Sequence, residues 1–190
     1  MKRNFYTAIW FTLVTTVLFG VFYPLGMTGL AQLFFPERAN GQLIEKNGKI
    51  VGSATIGQYF TGPGYFHSRP SSAGSGYDAS SSSGSNLAPT NKQLIDRVKS
   101  DVRKAQRENP PALVPVDLVT ASGSGLDPDI SPAAAEFQAP RVAIERHVSL
   151  DDVRSLVRKH TTDRQLGVLG EPRVNVLELN LDLDSLPPLK

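Results

Sequence analysis

The chain is 190 residues long, with 20 Lys plus Arg against 18 Asp plus Glu, so its formal charge is only +2. That balance argues against a nucleic-acid-binding protein, which carries a marked basic excess. The 40% hydrophobic and 20% charged content suits a folded chain. The absence of cysteine removes disulfide scaffolds, Cys-ligated metals and thiol catalysis.

The first element is the most apolar. No charged residue occurs from Asn4 to Pro36, and Phe5 to Phe35 reads FYTAIWFTLVTTVLFGVFYPLGMTGLAQLFF. A bilayer core about 30 Å thick needs roughly 20 apolar residues in helix. The pattern predicts a transmembrane helix over residues 7–29, with Tyr6, Trp10 and Tyr23 near its ends, where amphipathic rings favour the headgroup region. Pro24, Gly26 and Gly29 are expected to kink or fray its outer turn. A cleaved signal peptide is the competing reading, but no small-x-small site closes the apolar run. Lys2 and Arg3 precede the span, whereas Glu37 and Arg38 cancel after it. Residues 1–6 are therefore expected in the cytoplasm and residues 37–190 outside it, at the cytoplasmic (inner) membrane.

Beyond the anchor, Asn47-Gly48 is a type I′ hairpin signal between Leu43-Ile44 and Ile50-Val51. Residues 71–86 contain eight Ser and three Gly. Composition alone reads as a flexible spacer. The aromatics Tyr59, Phe60, Tyr65, Phe66 and Tyr77 favour an ordered loop that exposes many backbone and hydroxyl groups. A helix follows, with Thr90 as N-cap, Gln93 at N3 and Pro110-Pro111 beyond its end. Its apolar face carries Leu94, Ile95, Val98, Val102 and Ala105, and its basic residues read as a solvated face or a patch for lipid headgroups.

Val114 to Thr120 alternates like a strand. Ser131 and Ser149 are expected helix caps, with Pro132 at the first position of one helix and Pro140 kinking or restarting it. Residues 173–186 fit either period: Leu177, Leu179, Leu181 and Leu183 alternate, while Asn175 with Glu178 starts a helix. The fold class is α+β: a single N-terminal transmembrane helix followed by one mixed α/β soluble domain.

Catalytic patterns are missing. No phosphate loop or nucleophile elbow occurs, and Gly123-Ser124-Gly125 runs into Leu126, not a dinucleotide fingerprint. Asp117, Asp127 and Asp129 offer carboxylates for a hard cation, although Asp127-Pro128-Asp129 reads more simply as a turn and cap. His67, His147 and His160 are scattered, and no catalytic residue or metal ligand is assigned.

Three runs carry a family resemblance: Tyr65-Phe66-His67-Ser68-Arg69-Pro70, Ser83 to Asn91 (SGSNLAPTN) and Val119 to Asp127 (VTASGSGLD). With the N-terminal helix and the C-terminal VNVLELNLDLDSL, the chain resembles the C subunits of Kdp-type potassium-transporting P-type ATPases along nearly its whole length. The resemblance implies an accessory subunit, needed for assembly and activity. Its partners would be a channel-like potassium-binding subunit, a P-type ATPase subunit and a small membrane subunit, alongside membrane lipid and without nucleic acid. The family is described as a catalytic chaperone that raises the ATP affinity of the ATPase subunit.

Some members carry a Leu-Ser-x-x-Gln run, matched here by Val148 to Asp152 with an acid in place of glutamine. Ser149 and Asp152 are thus weak nucleotide-contact candidates, and the acid would repel phosphate. No firmly bound cofactor is expected; ATP would act through the ATPase subunit, and potassium is the transported ion. The alternative is an external clamp or entry cover on the channel-like subunit with no nucleotide contact, for which Ser83, Gly84, Ser85, Asn86 and Asp127 are the interface or potassium-entry candidates. A free-standing anchored envelope domain is the reading from another class.

Overall fold

The computed structural model describes residues 2–186. The chain divides into two compact units, Met1–Val51 and Gly52–Lys190.

The first unit is dominated by one continuous helical rod, Lys2–Phe34, apolar enough to cross a membrane and with none of its hydrophobic window buried in protein. At 1.5 Å per residue it is about 50 Å long, so it extends past both ends of the expected span. It comprises α1 (Lys2–Val17), a π turn (Leu18–Phe22) and α2 (Tyr23–Phe34). Pro24 has no N–H to give the Gly20 carbonyl and its ring would crowd that carbonyl, and the widened π turn lies where the conflict arises. Pro24 therefore perturbs the middle of the rod instead of fraying its outer end. The hydroxyls of Thr7 and Thr15 donate back to the carbonyls of Arg3 (3.0 Å) and Phe11 (2.7 Å), so neither is left unpaired in an apolar medium. A single turn, α3 (Pro36–Ala39), leads to the expected hairpin, β1 (Leu43–Lys46) and β2 (Lys49–Ser53). Asn47 (φ 56°) and Gly48 (φ 73°) supply its two left-handed residues.

In the second unit, α4 (Lys92–Glu108) starts one residue later than the Thr90 cap predicts. Asn91 caps it, its Oδ1 accepting from the Gln93 N–H at 2.8 Å, because Asn is at least as good a cap as Thr. The strand expected over residues 114–120 does not form. A 3₁₀ turn (Val116–Leu118) occupies it, with Pro115 ahead of the turn and Val116 70% exposed. The apolar alternation there had no sheet face to match, and Pro115 lacks a ladder donor.

The core is built from a three-stranded antiparallel sheet and three helices. The sheet order is β3 (Asp129–Ile130), β5 (Arg173–Asn175), β4 (Thr161–Thr162), with Ile130 opposite Val174 and Val174 opposite Thr161. Ser131 caps α5 (Pro132–Arg146), its Oγ accepting from the Ala134 N–H. Pro140 does not break α5, because the carbonyl it leaves without a donor belongs to exposed Glu136, where solvent can satisfy it. Ser149 caps α6 (Leu150–Lys159) as expected. The ambiguous C-terminal run resolves as β5 followed directly by α7 (Val176–Leu183), with Asn175 as the cap. The residues buried on α5, α6 and α7 include Ala134, Ala139, Val142, Val153, Val157, Leu179 and Leu183, which pack with Ile130 and Val174 of the sheet.

Candidate functional site

The Ser/Gly-rich stretch is an ordered platform, and it is held from the helices below. Phe66 is fully buried on an extended loop, so its backbone groups need partners. Asn180 of α7 provides both: its Oδ1 accepts from the Phe66 N–H and its Nδ2 donates to the Phe66 carbonyl, each at 2.9 Å. Gln138 of α5 treats His67 the same way, accepting from its N–H at 2.8 Å and donating to its carbonyl at 3.0 Å. Arg141 donates to the Tyr65 carbonyl (2.9 Å) and pairs with Glu108 of α4 (2.6 Å). Arg146 donates to the Gly64 carbonyl (2.7 Å), pairs with Asp184 (2.8 Å) and lies 4.3 Å over the Tyr65 ring.

The platform also ties together the three runs that carry the family resemblance. Arg69 reaches Asp127 at 2.9 Å. The Ser83 N–H donates to the Ser124 carbonyl (2.9 Å), and the Ser71 hydroxyl to the Gly125 carbonyl (2.6 Å). The approach is close enough to demand glycine. Gly125 has φ +69°, and a Cβ there would lie 2.6 Å from the Ser83 carbonyl oxygen and 2.7 Å from the Ala73 nitrogen.

Between this platform and α4 lies a cleft of about 440 Å³. His67, Ser68, Arg69 and Tyr77 line one side, and Asp101, Lys104 and Glu108 of α4 the other. Burial first, then the Arg141 charge, holds the His67 imidazole below its usual pKa. Its Nε2 lies 3.0 Å from the Gly62 carbonyl, which can only accept, so that nitrogen carries the proton. Burial, chiefly, pushes the Tyr77 phenol up to about 12. The Ser68 hydroxyl is itself buried with no partner within hydrogen-bonding distance. The cleft thus presents neutral hydrogen-bonding groups between charges of both signs.

Of the residues singled out from sequence, Ser83, Gly84 and Ser85 are half-buried in the platform, and Asn86 is exposed at φ 50°. Asp127 sits among them as a clamp: one oxygen pairs with Arg69, the other accepts from the Asp129 N–H at 3.1 Å. Asp117 accepts from the N–H (2.7 Å) and hydroxyl of Ser131, and Asp129 pairs with Arg173 at 3.0 Å. Burial, chiefly, raises the Asp129 pKa. Among the described residues no cluster of three His, Asp or Glu is placed to hold a metal ion. Ser149 and Asp152 belong to the first turn of α6, where the Ser149 hydroxyl accepts from the Asp152 N–H at 3.0 Å. Sequence reasoning missed Asn180 and Gln138. Their signal was an amide within an otherwise apolar helical stripe: Asn180 among Val176, Leu179 and Leu183, Gln138 among Ala134, Ala135 and Val142.

The family model described as KdpC, the c chain of a K+-transporting ATPase, matches residues 5–185. The chain belongs to the KdpC family. It is 60% identical over 189 residues to the potassium-transporting ATPase KdpC subunit of Koribacter versatilis (strain Ellin345), covering all of this chain and 98% of that one. The KdpC subunit of Acidobacterium capsulatum is 60% identical over 180 residues, 95% of this chain and 97% of its own. That of Rhodospirillum rubrum is 55% identical over 191 residues, covering 100% and 99%. The resemblance carried by the three loop runs thus extends through the whole domain and the N-terminal helix. This KdpC family member is a membrane-anchored accessory subunit of a potassium-transporting ATPase.

Proposed function

We propose that this subunit is non-catalytic and works from the outer face of the cytoplasmic membrane, where its domain steadies the complex as a clamp or entry cover on the potassium-binding, channel-like subunit. In this reading it takes part in high-affinity potassium uptake without touching nucleotide. The first turn of α6 carries the argument. The run matched to a nucleotide signature is a helix cap: the Ser149 hydroxyl is engaged by the Asp152 N–H, and Asp151 and Asp152 set two negative charges at the end where a phosphate would have to bind. The flanks of the membrane helix agree, since Lys2 and Arg3 precede it and Glu37 and Arg38 cancel behind it. ATP is not available on the side this charge pattern selects for the domain.

The platform suits such a role because Asn180 and Gln138 tie it to the helices and the Ser83 N–H to the Ser124 carbonyl, with Asn86 exposed three residues on. The test is topology, with the C-terminus fused in parallel to a phosphatase active only outside the cytoplasm and to a protein fluorescent only inside it. Phosphatase activity without fluorescence is expected. Fluorescence alone would overturn the external reading and return the chaperone of ATP binding, with Ser149 and Asp152 as the first positions to change.

A further inference from the structure

The cleft between the platform and α4 holds polar groups that the fold itself does not use. Its charged residues are nearly all committed: Arg69 to Asp127 at 2.9 Å, Asp101 to Arg97 at 3.5 Å and Glu108 to Arg141 at 2.6 Å. The exception is Lys104, which stands on α4 between those two acids and has no ion-pair partner among the described residues. One positive charge is left over.

The remaining free groups are neutral. His67 keeps its proton on Nε2, so Nδ1 is a lone-pair acceptor; it has no partner among the described residues and is open to solvent. The side chains of Gln58 and Thr61 line the cleft and make no hydrogen bond to the described residues. The Ser68 hydroxyl is buried in the wall without a partner, a cost to the empty fold that a ligand group reaching it removes. Tyr59 adds an apolar surface. One face of its ring stacks on Tyr77 at 5.7 Å, and the residue is 72% exposed, so the other face is open.

We propose that this cleft binds a sugar acid, a hydroxylated ring that carries one carboxylate. Lys104 takes the carboxylate, His67 Nδ1 and the Gln58 amide take ring hydroxyls, and the open face of Tyr59 takes the apolar C–H face of the ring. The charge count decides the class. A polyphosphate would bring several negative charges to one free cation with Asp101 and Glu108 beside it. A neutral sugar would leave Lys104 unanswered, and an apolar ligand would strand every free polar group. The volume, about 440 Å³, is that of a small-molecule site. Such a ligand bridges α4 to the platform. The inference goes beyond the clamp reading and does not depend on the side of the membrane that the domain occupies.

D-Glucuronate is the probe, titrated against the full chain in phosphatidylcholine nanodiscs by saturation-transfer NMR, with empty discs as the blank. A dissociation constant of about 1 mM or tighter is expected, the value that ordinary ligand efficiency gives a molecule of this size. D-Glucose, which lacks the carboxylate, and acetate, which lacks the hydroxyls, are each expected to bind at least about tenfold more weakly. Lys104→Gln should bring glucuronate down to the level of glucose, and Tyr59→Ala should weaken both sugars. Lys104 is exposed and unpaired, so its replacement should leave the urea midpoint where it is. Methyl β-D-glucuronoside binding as well as the free acid assigns the site to the end of a glycan, and weaker binding assigns it to the free acid. Absence of glucuronate binding overturns the proposal. So does equal affinity for glucose, unchanged affinity in Lys104→Gln, or tighter binding of ATP than of glucuronate.

Discussion

Asn180 completes both backbone hydrogen bonds of Phe66, accepting from its N–H and donating to its carbonyl at 2.9 Å each, with both residues almost wholly buried. A lone extended residue in a core leaves a donor and an acceptor without water or a neighbouring strand. The side-chain amide serves as a one-residue strand. Asn180→Leu keeps the volume roughly constant and orphans both groups, each worth about 1–3 kcal/mol. The full chain in detergent is therefore expected to lose about 2–5 kcal/mol in urea unfolding. A loss under about 0.5 kcal/mol would show that the loop relaxes freely and that Asn180 does not hold it.

The Arg69–Asp127 pair makes a different demand, because both side chains are about a quarter exposed. Asp127→Asn keeps an oxygen for the Asp129 N–H and removes only the charge facing Arg69. Stability is expected to fall by about 1 kcal/mol, with a double-mutant cycle against Arg69→Gln assigning most of it to the pair. Both carboxylate oxygens already have partners, so the potassium concentration for half-maximal ATPase activity of the complex should not move. A shift in that value with stability unchanged would instead place Asp127 on the path of the ion.

These two contacts show what the sequence could and could not disclose. Helix starts at Ser131 and Ser149 were legible because a cap is a local hydrogen bond between neighbours in the chain, whereas the same signal at Asn175 stood against a strand-like alternation of leucines that sequence alone left undecided. The Asn47-Gly48 turn was legible for the same reason as the serine caps. The strand expected over residues 114–120 failed because apolar alternation says nothing about whether a partner strand exists. The platform was half legible: its aromatics argued for order, but its supports come from 71 and 114 residues away, at Gln138 and Asn180. No local pattern encodes which distant amide will meet which loop. A polar residue inside an apolar helical stripe is the one trace such a contact leaves.

Close approach sets the next expectation. At Gly125 a Cβ would stand 2.6 Å from the Ser83 carbonyl oxygen, and the backbone is already at φ +69°. Gly125→Ala must therefore both strain its own backbone and push the Ser83 loop away from Ala73. A loss of about 3 kcal/mol or more is expected in urea unfolding. Gly123→Ala, two residues earlier, meets nothing within 4 Å and should stay within about 0.5 kcal/mol of wild type. Equal effects at the two positions would mean that the loops do not pack as described.

His67 gives the domain a pH signature. Burial and the Arg141 charge lower its pKa in the folded chain from an ordinary value of 6.5, while the bond to the Gly62 carbonyl and then Glu108 on α4 oppose them and Lys104 adds to them. The unfolded chain therefore takes up a proton first as pH falls through about 6.5, and unfolding gains from it. Stability is full above that value and declines on acidification until the folded imidazole also titrates, with a slope of at most about 1.4 kcal/mol per pH unit. Asp182 acts in a separate window. Lys159 and His160 hold its carboxyl below the usual range, so its contribution is present above about 3.8 and is lost only as pH falls further. His67→Gln keeps a side-chain N–H for the Gly62 carbonyl and removes the titration. Urea midpoints measured at pH 7.5 and 5 should fall less on acidification in this variant than in the wild type. An unchanged difference between the two pH values would mean that the imidazole is not held neutral in the fold.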